Sequence, residues 1–160
     1  MYTRILVPTD GSKLAEEAAR AAINLAKKLD ASVVGFYAML SYDASTYETV
    51  VMSPGWVPQE AFEKAQKHRA QKYLAALEKM AVEAGIPYES QTLTAQSAAL
   101  AIVDAAKDKG CDLIFMGSHG LGALAQVFLG SVTTKVLSLC SLPVLVHRHG
   151  DFAFRDSGKR

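Results

Sequence analysis

The residues best suited to chemistry lie in one run, Gly117-Ser-His-Gly-Leu-Gly-Ala-Leu-Ala-Gln-Val-Phe-Leu-Gly-Ser131. An apolar stretch, Leu113-Ile-Phe-Met116, precedes it, and Val132 to Leu139, with apolar residues at helical spacing, follows. Strand, glycine-bearing loop and helix in that order can wrap an anion. Glycines at 117, 120 and 130 admit backbone conformations that other residues resist, and let the chain approach a ligand closely. Ser131 falls where the helix begins, so its hydroxyl and the first unpaired N–H groups can face one point. A phosphate held there needs little help from cationic side chains.

A glycine-rich connection after a buried strand can be only a tight turn, so spacing has to decide. The P-loop pattern is absent, because Gly130 precedes Ser131 and the loop holds no lysine. A G-x-G-x-x-A match occurs at Gly120, Gly122 and Ala125. It lacks the acidic residue that a dinucleotide fold places about 20 positions later, since Val136 to Val146 contains no carboxylate. The spacing that is met is G-x2-G-x9-G-[ST], at Gly117, Gly120, Gly130 and Ser131.

Together with Pro8-Thr-Asp-Gly-Ser12 and Pro143-Val-Leu-Val146, this chain resembles the universal stress protein family from about Ile5 to about His147. The loop signature is that of the branch that binds ATP or AMP. The resemblance implies an open five-stranded parallel α/β sheet of order 3-2-1-4-5, adenine nucleotide alpha hydrolase-like, with helices on both faces. One domain over 1–148 and a polar tail over 149–160 are expected.

Composition agrees with such a domain. The 160 residues suit one core. Seventeen Lys and Arg against 16 Asp and Glu leave a net charge of +1, which argues against a nucleic-acid footprint. No apolar run approaches the ~20 residues of a membrane span. The N-terminus, entering a strand at once and carrying Asp10, is unlike a signal peptide. Cys111 and Cys140 have neither metal-ligand nor C-x-x-C spacing. They read as small buried thiols of a reducing compartment, the cytoplasm.

The elements that position the loop follow in order. Arg4-Ile-Leu-Val7 is a strand buried on both faces. Ser12 is a good N-cap for a helix from about Lys13 to Leu29, whose Ala15, Ala18, Ala19, Ala22, Ile23, Leu25, Ala26 and Leu29 form a small-residue stripe. Ala31 to Ala38 is a second strand, parallel to the first by the right-handed crossover rule. Ser41 to Pro58 has no clean period; it is a lid, a partner contact or a mobile insertion, and its place after strand two favours the lid. Gln59 to Ala84 is helical, with Phe62, Ala65, Arg69, Tyr73, Leu77, Met80 and Ala84 expected on one face and Gly85 ending it. Tyr88 to Thr94 is polar and so an edge strand. Ser97 can cap a third helix with Leu100, Ile102, Val103 and Ala106 facing inward. Asp112 to Met116 and Pro143 to His147 are the remaining strands.

In the family's strand order, strands one and four are neighbours whose connections leave in opposite directions, the place where such sheets bind ligands. Pro8, Thr9 and Asp10 would then face Gly117 and Ser118 across one crevice, with Met116 among the binding residues. Asp10 suits ribose hydroxyls; its alternative role is capping the first helix with Ser12. By similarity, the backbone at Ala38 would meet the adenine edge and Gly117 the ribose. Gly120, Gly130, Ser131 and Val132 would offer N–H groups to the phosphates, with Thr133 beside them and His119 within reach. With no Lys or Arg in the loop, a triphosphate would need a divalent ion, Mg2+ or Mn2+, or solvent to balance it; Lys13 and Lys135 are only distant partners. No catalytic residue is assigned, and at most weak ATP hydrolysis is implied. One departure from the family is Ala95-Gln96-Ser97-Ala98, where a Gly-x-Pro turn is common. Val144 to Val146, an apolar edge, is expected to pair in a homodimer. The reading is a nucleotide-binding regulatory protein of the stress response; the alternative is a dimeric scaffold of the same fold with an empty crevice.

Overall fold

In a computed structural model of the chain, the described residues are 1–43, 58–120 and 129–148. The expectations for the middle of the 41–58 segment, for the loop between Gly120 and Leu129 and for the polar tail lie outside them.

Five strands, β1 (Arg4–Pro8), β2 (Ser32–Leu40), β3 (Tyr88–Ala95), β4 (Leu113–Gly117) and β5 (Val144–His147), form one sheet of order β3-β2-β1-β4-β5. Every pairing is parallel, with Leu6 beside Val34 on one side and Ile114 on the other. The sheet order is the expected one, and polar β3 takes an edge.

Alternation along the strands sorts their side chains between two cores, since successive residues point to opposite faces. Ile5, Val7, Val33, Leu113 and Phe115 face α1 (Lys13–Leu29) and α2 (Gln59–Ala84). Leu6, Val34, Phe36, Ile114 and Met116 face α3 (Ala98–Asp108) and α4 (Ser131–Leu139). Alanines 18, 19, 22 and 26 of α1 are fully buried, so small side chains let the helix lie close on the sheet. β1 therefore sends its connection over one face and adjacent β4 sends its own over the other.

Helix boundaries follow local chemistry. Ser12 caps α1, its Oγ accepting from the Ala15 amide at 3.1 Å. Gly85 ends α2 at φ +73, a left-handed conformation that glycine adopts without strain. Ser97 occupies the N-cap of α3, but its side chain makes no capping bond.

Two face assignments are corrected. Leu100 is 48% exposed, while Ala99, Ala101, Ile102 and Val103 are buried, because both the sheet and α4 cover α3. On α2 the buried stripe is Gln66, Ala70, Leu74, Leu77 and Ala81, and Ala65 and Arg69 are exposed. The helix is turned from the expected face because Tyr37 and Tyr88 engage it: Tyr37 donates to Gln66 Oε1 at 3.0 Å and Tyr88 to the Leu74 carbonyl at 3.0 Å. Of the cysteines, Cys111 is buried and Cys140 only half-buried. Burial pushes the Cys111 thiol up to about 11, against the opposing pull of Arg4, so it stays protonated at neutral pH.

Candidate functional site

A cavity of about 910 Å³ lies across the carboxyl ends of the central strands. Pro8, Thr9 and Asp10 line it from the end of β1, Ala38 from β2, and Met116, Gly117, His119 and Gly120 from β4 and its loop. Gly130, Ser131, Val132 and Thr133 line it from the start of α4. The geometry thus brings together two stretches more than a hundred positions apart, as the strand order demands. Lys13 and Lys135 are not among the described lining residues.

The turn after β1 is built by its own side chains. The Gly11 amide donates to Thr9 Oγ1 at 3.1 Å and the Ser12 amide to Asp10 Oδ1 at 2.9 Å. Such side-chain turns hold a polar loop open where a backbone ladder has ended. Asp10 therefore helps organise the start of α1 and lines the cavity as well. Gly11, at φ +79, has the Tyr73 ring lying against its Cα: a β-carbon there would fall 2.1 Å from the ring.

The loop after β4 is closed at its base. Ser118 donates its amide to His147 O at 2.8 Å, and its own carbonyl accepts from the Gly130 amide at 2.7 Å. Thr133 Oγ1 donates to Gly117 O at 3.0 Å, and Ser118 Oγ lies 3.1 Å from His119 Nδ1. Thr134 N closes the first turn of α4 on Gly130 O. The amides of Ser131, Val132 and Thr133, ahead of that bond, have no intrahelical acceptor and mark the positive end of the helix.

Here the structure differs from expectation twice. The Gly130 N–H, assigned to a phosphate, is taken up by Ser118 O, so donors at this end start with Ser131. Of the two reasons expected for the three signature glycines, unusual backbone conformation and close approach, the first is not met. Positive φ is found among described glycines at Gly11, Gly85 and Gly110, not at 117, 120 or 130. Close approach is what they permit. A β-carbon on Gly120 would sit 2.2 Å from Asp10 Oδ2, and one on Gly130 2.9 Å from His119 Cα.

These contacts tie two of the three signature glycines, Gly120 and Gly130, to the turn after β1 and to the loop's own base. A sequence model of the universal stress protein family matches residues 1–148. The universal stress protein MJ0531 of Methanocaldococcus jannaschii is 37% identical over 91% of this chain and 82% of its own length. The chain belongs to the universal stress protein family. Among solved family folds, MJ0577 of the same organism superposes with TM-score 0.77 at 26% identity, covering 94% of this chain and 99% of that one. A universal stress protein solved in complex with cAMP matches with TM-score 0.67 at 25% identity, over 93% of this chain and 99% of that one.

Beyond the residues expected of a family member, the cavity has a wall that sequence reading did not assign to it. Phe62, Gln66, Arg69 and Tyr73 of α2 line it, with Tyr37 of β2 and Ala98 and Ile102 of α3. The one available signal was the polar pair Gln66 and Arg69 near the apolar stripe of α2. Among the described lining residues Asp10 is the sole carboxylate and Arg69 the sole Lys or Arg.

Proposed function

We propose that this universal stress protein binds an adenine nucleotide, ATP or AMP, in the cavity at the β1–β4 junction and acts as a regulator in the stress response. The observation that carries the reading is the convergence of the Pro8–Asp10 turn, the Gly117–Gly120 loop and the α4 N-terminus on one cavity. Unpaired amides at a helix start attract anions, with a dipole contribution of roughly 0.3–1 kcal/mol when exposed and up to ~2 when partly buried. The related protein solved with cAMP supports an adenine ligand.

In this reading Ser131, Val132 and Thr133 donate to the phosphates, and Gly120 and Gly130 keep their path clear. Asp10 accepts from the ribose, Gly117 packs beside it, and the Ala38 backbone meets the adenine edge. Pro8, Thr9, Met116 and His119 complete the walls. Among the described residues no group of three His, Cys, Asp or Glu side chains could hold a metal ion. With Asp10 as the lone carboxylate among the described lining residues, Mg2+ or Mn2+ accompanying a triphosphate is carried by the phosphates. Among the described residues no helix is long and apolar enough to cross a membrane; a cytoplasmic place remains part of the proposal. So does a homodimer through β5, where Leu145 is 39% exposed.

Thermal unfolding with and without ligand tests the reading. ATP or AMP at one hundred times its Kd should stabilise the fold by ~2.7 kcal/mol. No shift with any adenine nucleotide would leave the dimeric scaffold as the function of this chain.

A further inference from the structure

The α2 wall of the cavity has polar chemistry that the phosphate grip does not use. Gln66 is 6% exposed within an otherwise apolar stripe, a position where an amide is costly unless bonded. Its partner is the Tyr37 hydroxyl, itself on a side chain only 7% exposed. Burial raises the Tyr37 pKa, and the charge of the Arg69 guanidinium works against the rise, while Tyr73 and Asp10 add to it. Arg69 follows Gln66 by one helical turn, which puts the two side chains on neighbouring positions of the same face. An arginine on the outer side of a helix is ordinarily solvated. This one stands one helical turn before Tyr73, whose ring lies over Gly11 and 5.9 Å from the Tyr37 ring. It is also the only Lys or Arg among the described lining residues. An anionic ligand bound beside the Asp10 carboxylate meets repulsion there, and Arg69 is the group able to offset it.

We infer that Arg69, oriented by the buried Gln66–Tyr37 pair, contacts the ligand's anionic end and favours nucleoside triphosphate over monophosphate. The inference rests on the adenine-nucleotide reading for the identity of the ligand, but not for the role of the cation. Arg69 is the contacting residue; Tyr37 and Gln66 are positioning residues.

The test is calorimetric titration of the full chain and its Arg69→Gln, Arg69→Lys, Tyr37→Phe and Tyr37→Phe/Arg69→Gln variants with ATP, AMP, adenosine and inorganic tripolyphosphate. A lost charge-assisted contact should weaken ATP and tripolyphosphate binding by roughly tenfold, AMP less, and adenosine by under about twofold. Arg69→Lys, keeping the charge without the fork, should recover part of the loss. Tyr37→Phe should weaken ligands in the same order of charge by roughly threefold, and add nothing in the Arg69→Gln background. A merely structural Tyr37 would weaken all four ligands alike. Arg69→Gln protein that binds ATP as the parent does, or loses adenosine equally, overturns the role of Arg69 and leaves the nucleotide reading standing. Arg69-dependent binding of tripolyphosphate without binding of any nucleotide does the reverse. A parent that binds none of the four removes both.

Discussion

Gly120 and Asp10 stand so close that a single methyl group on the glycine would have to push them apart. Gly120→Ala would place a carbon 2.2 Å from Asp10 Oδ2 and force the loop away from the β1 turn. Because the loop is at the surface end of the sheet, the cost falls on binding: nucleotide affinity should drop more than about tenfold while the melting temperature moves little. Calorimetry alongside a thermal melt checks both halves. Asp10 offers a finer separation. Asp10→Asn keeps an oxygen for the Ser12 amide, so the turn and α1 should persist, while preference for ribose over 2′-deoxyribose nucleotides should fall. Asp10→Ala should lose both, with a stability cost of about 1 kcal/mol. The signature glycines were legible by spacing, yet the reason for them was not. Spacing suggested unusual backbone angles and close approach to a ligand; the folded chain shows no positive φ at these three and close approach to its own residues.

At the scale of elements, caps and clamps decide where helices and strands begin. Ser12→Ala removes the Ala15 capping bond and should destabilise the protein by about 1 kcal/mol, read from chemical denaturation. At the opposite end of the sheet, Asp112 ties β1 to β4, accepting from Thr3 N and Thr3 Oγ1 at 2.8 Å and from Arg4 N at 3.0 Å. Burial works to raise its pKa, and the bonds from Arg4 and Thr3 outweigh it, so the carboxyl lies below its usual 3.8. Since the folded value is the lower one, the stabilisation is present above 3.8 and is lost as pH falls through the folded value. Asp112→Asn should therefore be less stable than the parent at neutral pH, with the gap closing in acid, as urea melts across pH 2–7 would record. Element boundaries were readable because caps and periodicity are local. The facing of α2 was not, since it goes with hydrogen bonds that Tyr37 and Tyr88, on the strands before and after it, make to acceptors on the helix.

For the whole molecule, the edge of the sheet at β5, which has no strand beside it among the described residues, is the surface at which a second copy would pair. β5 is four residues long and apolar, and Leu137, Leu139 and Leu145 are exposed close to it in sequence. Edges of this kind pair unless they are blocked. Leu145→Lys should convert a dimer to monomer in light scattering while leaving the monomer fold intact. If nucleotide binding regulates assembly, the same variant should bind ATP unchanged but show no ligand-dependent change in mass. A parent that is monomeric at every concentration would remove the homodimer from the proposal.

Sequence alone determined the alternation of strands and helices, the Ser12 and Gly85 caps and the glycine spacing after β4, because each depends on neighbours along the chain, whereas Ser97 took its N-cap position without making the capping bond. It also marked β3 as an edge, since a polar strand cannot be buried on two faces. Tertiary structure alone decided that Gly120 meets Asp10, that Gly130 hands its amide to Ser118, and that Arg69 reaches the cavity. Those outcomes come from how packed elements turn and approach one another. Periodicity holds no record of that, because the partners lie on different elements and only close packing brings them within bonding distance.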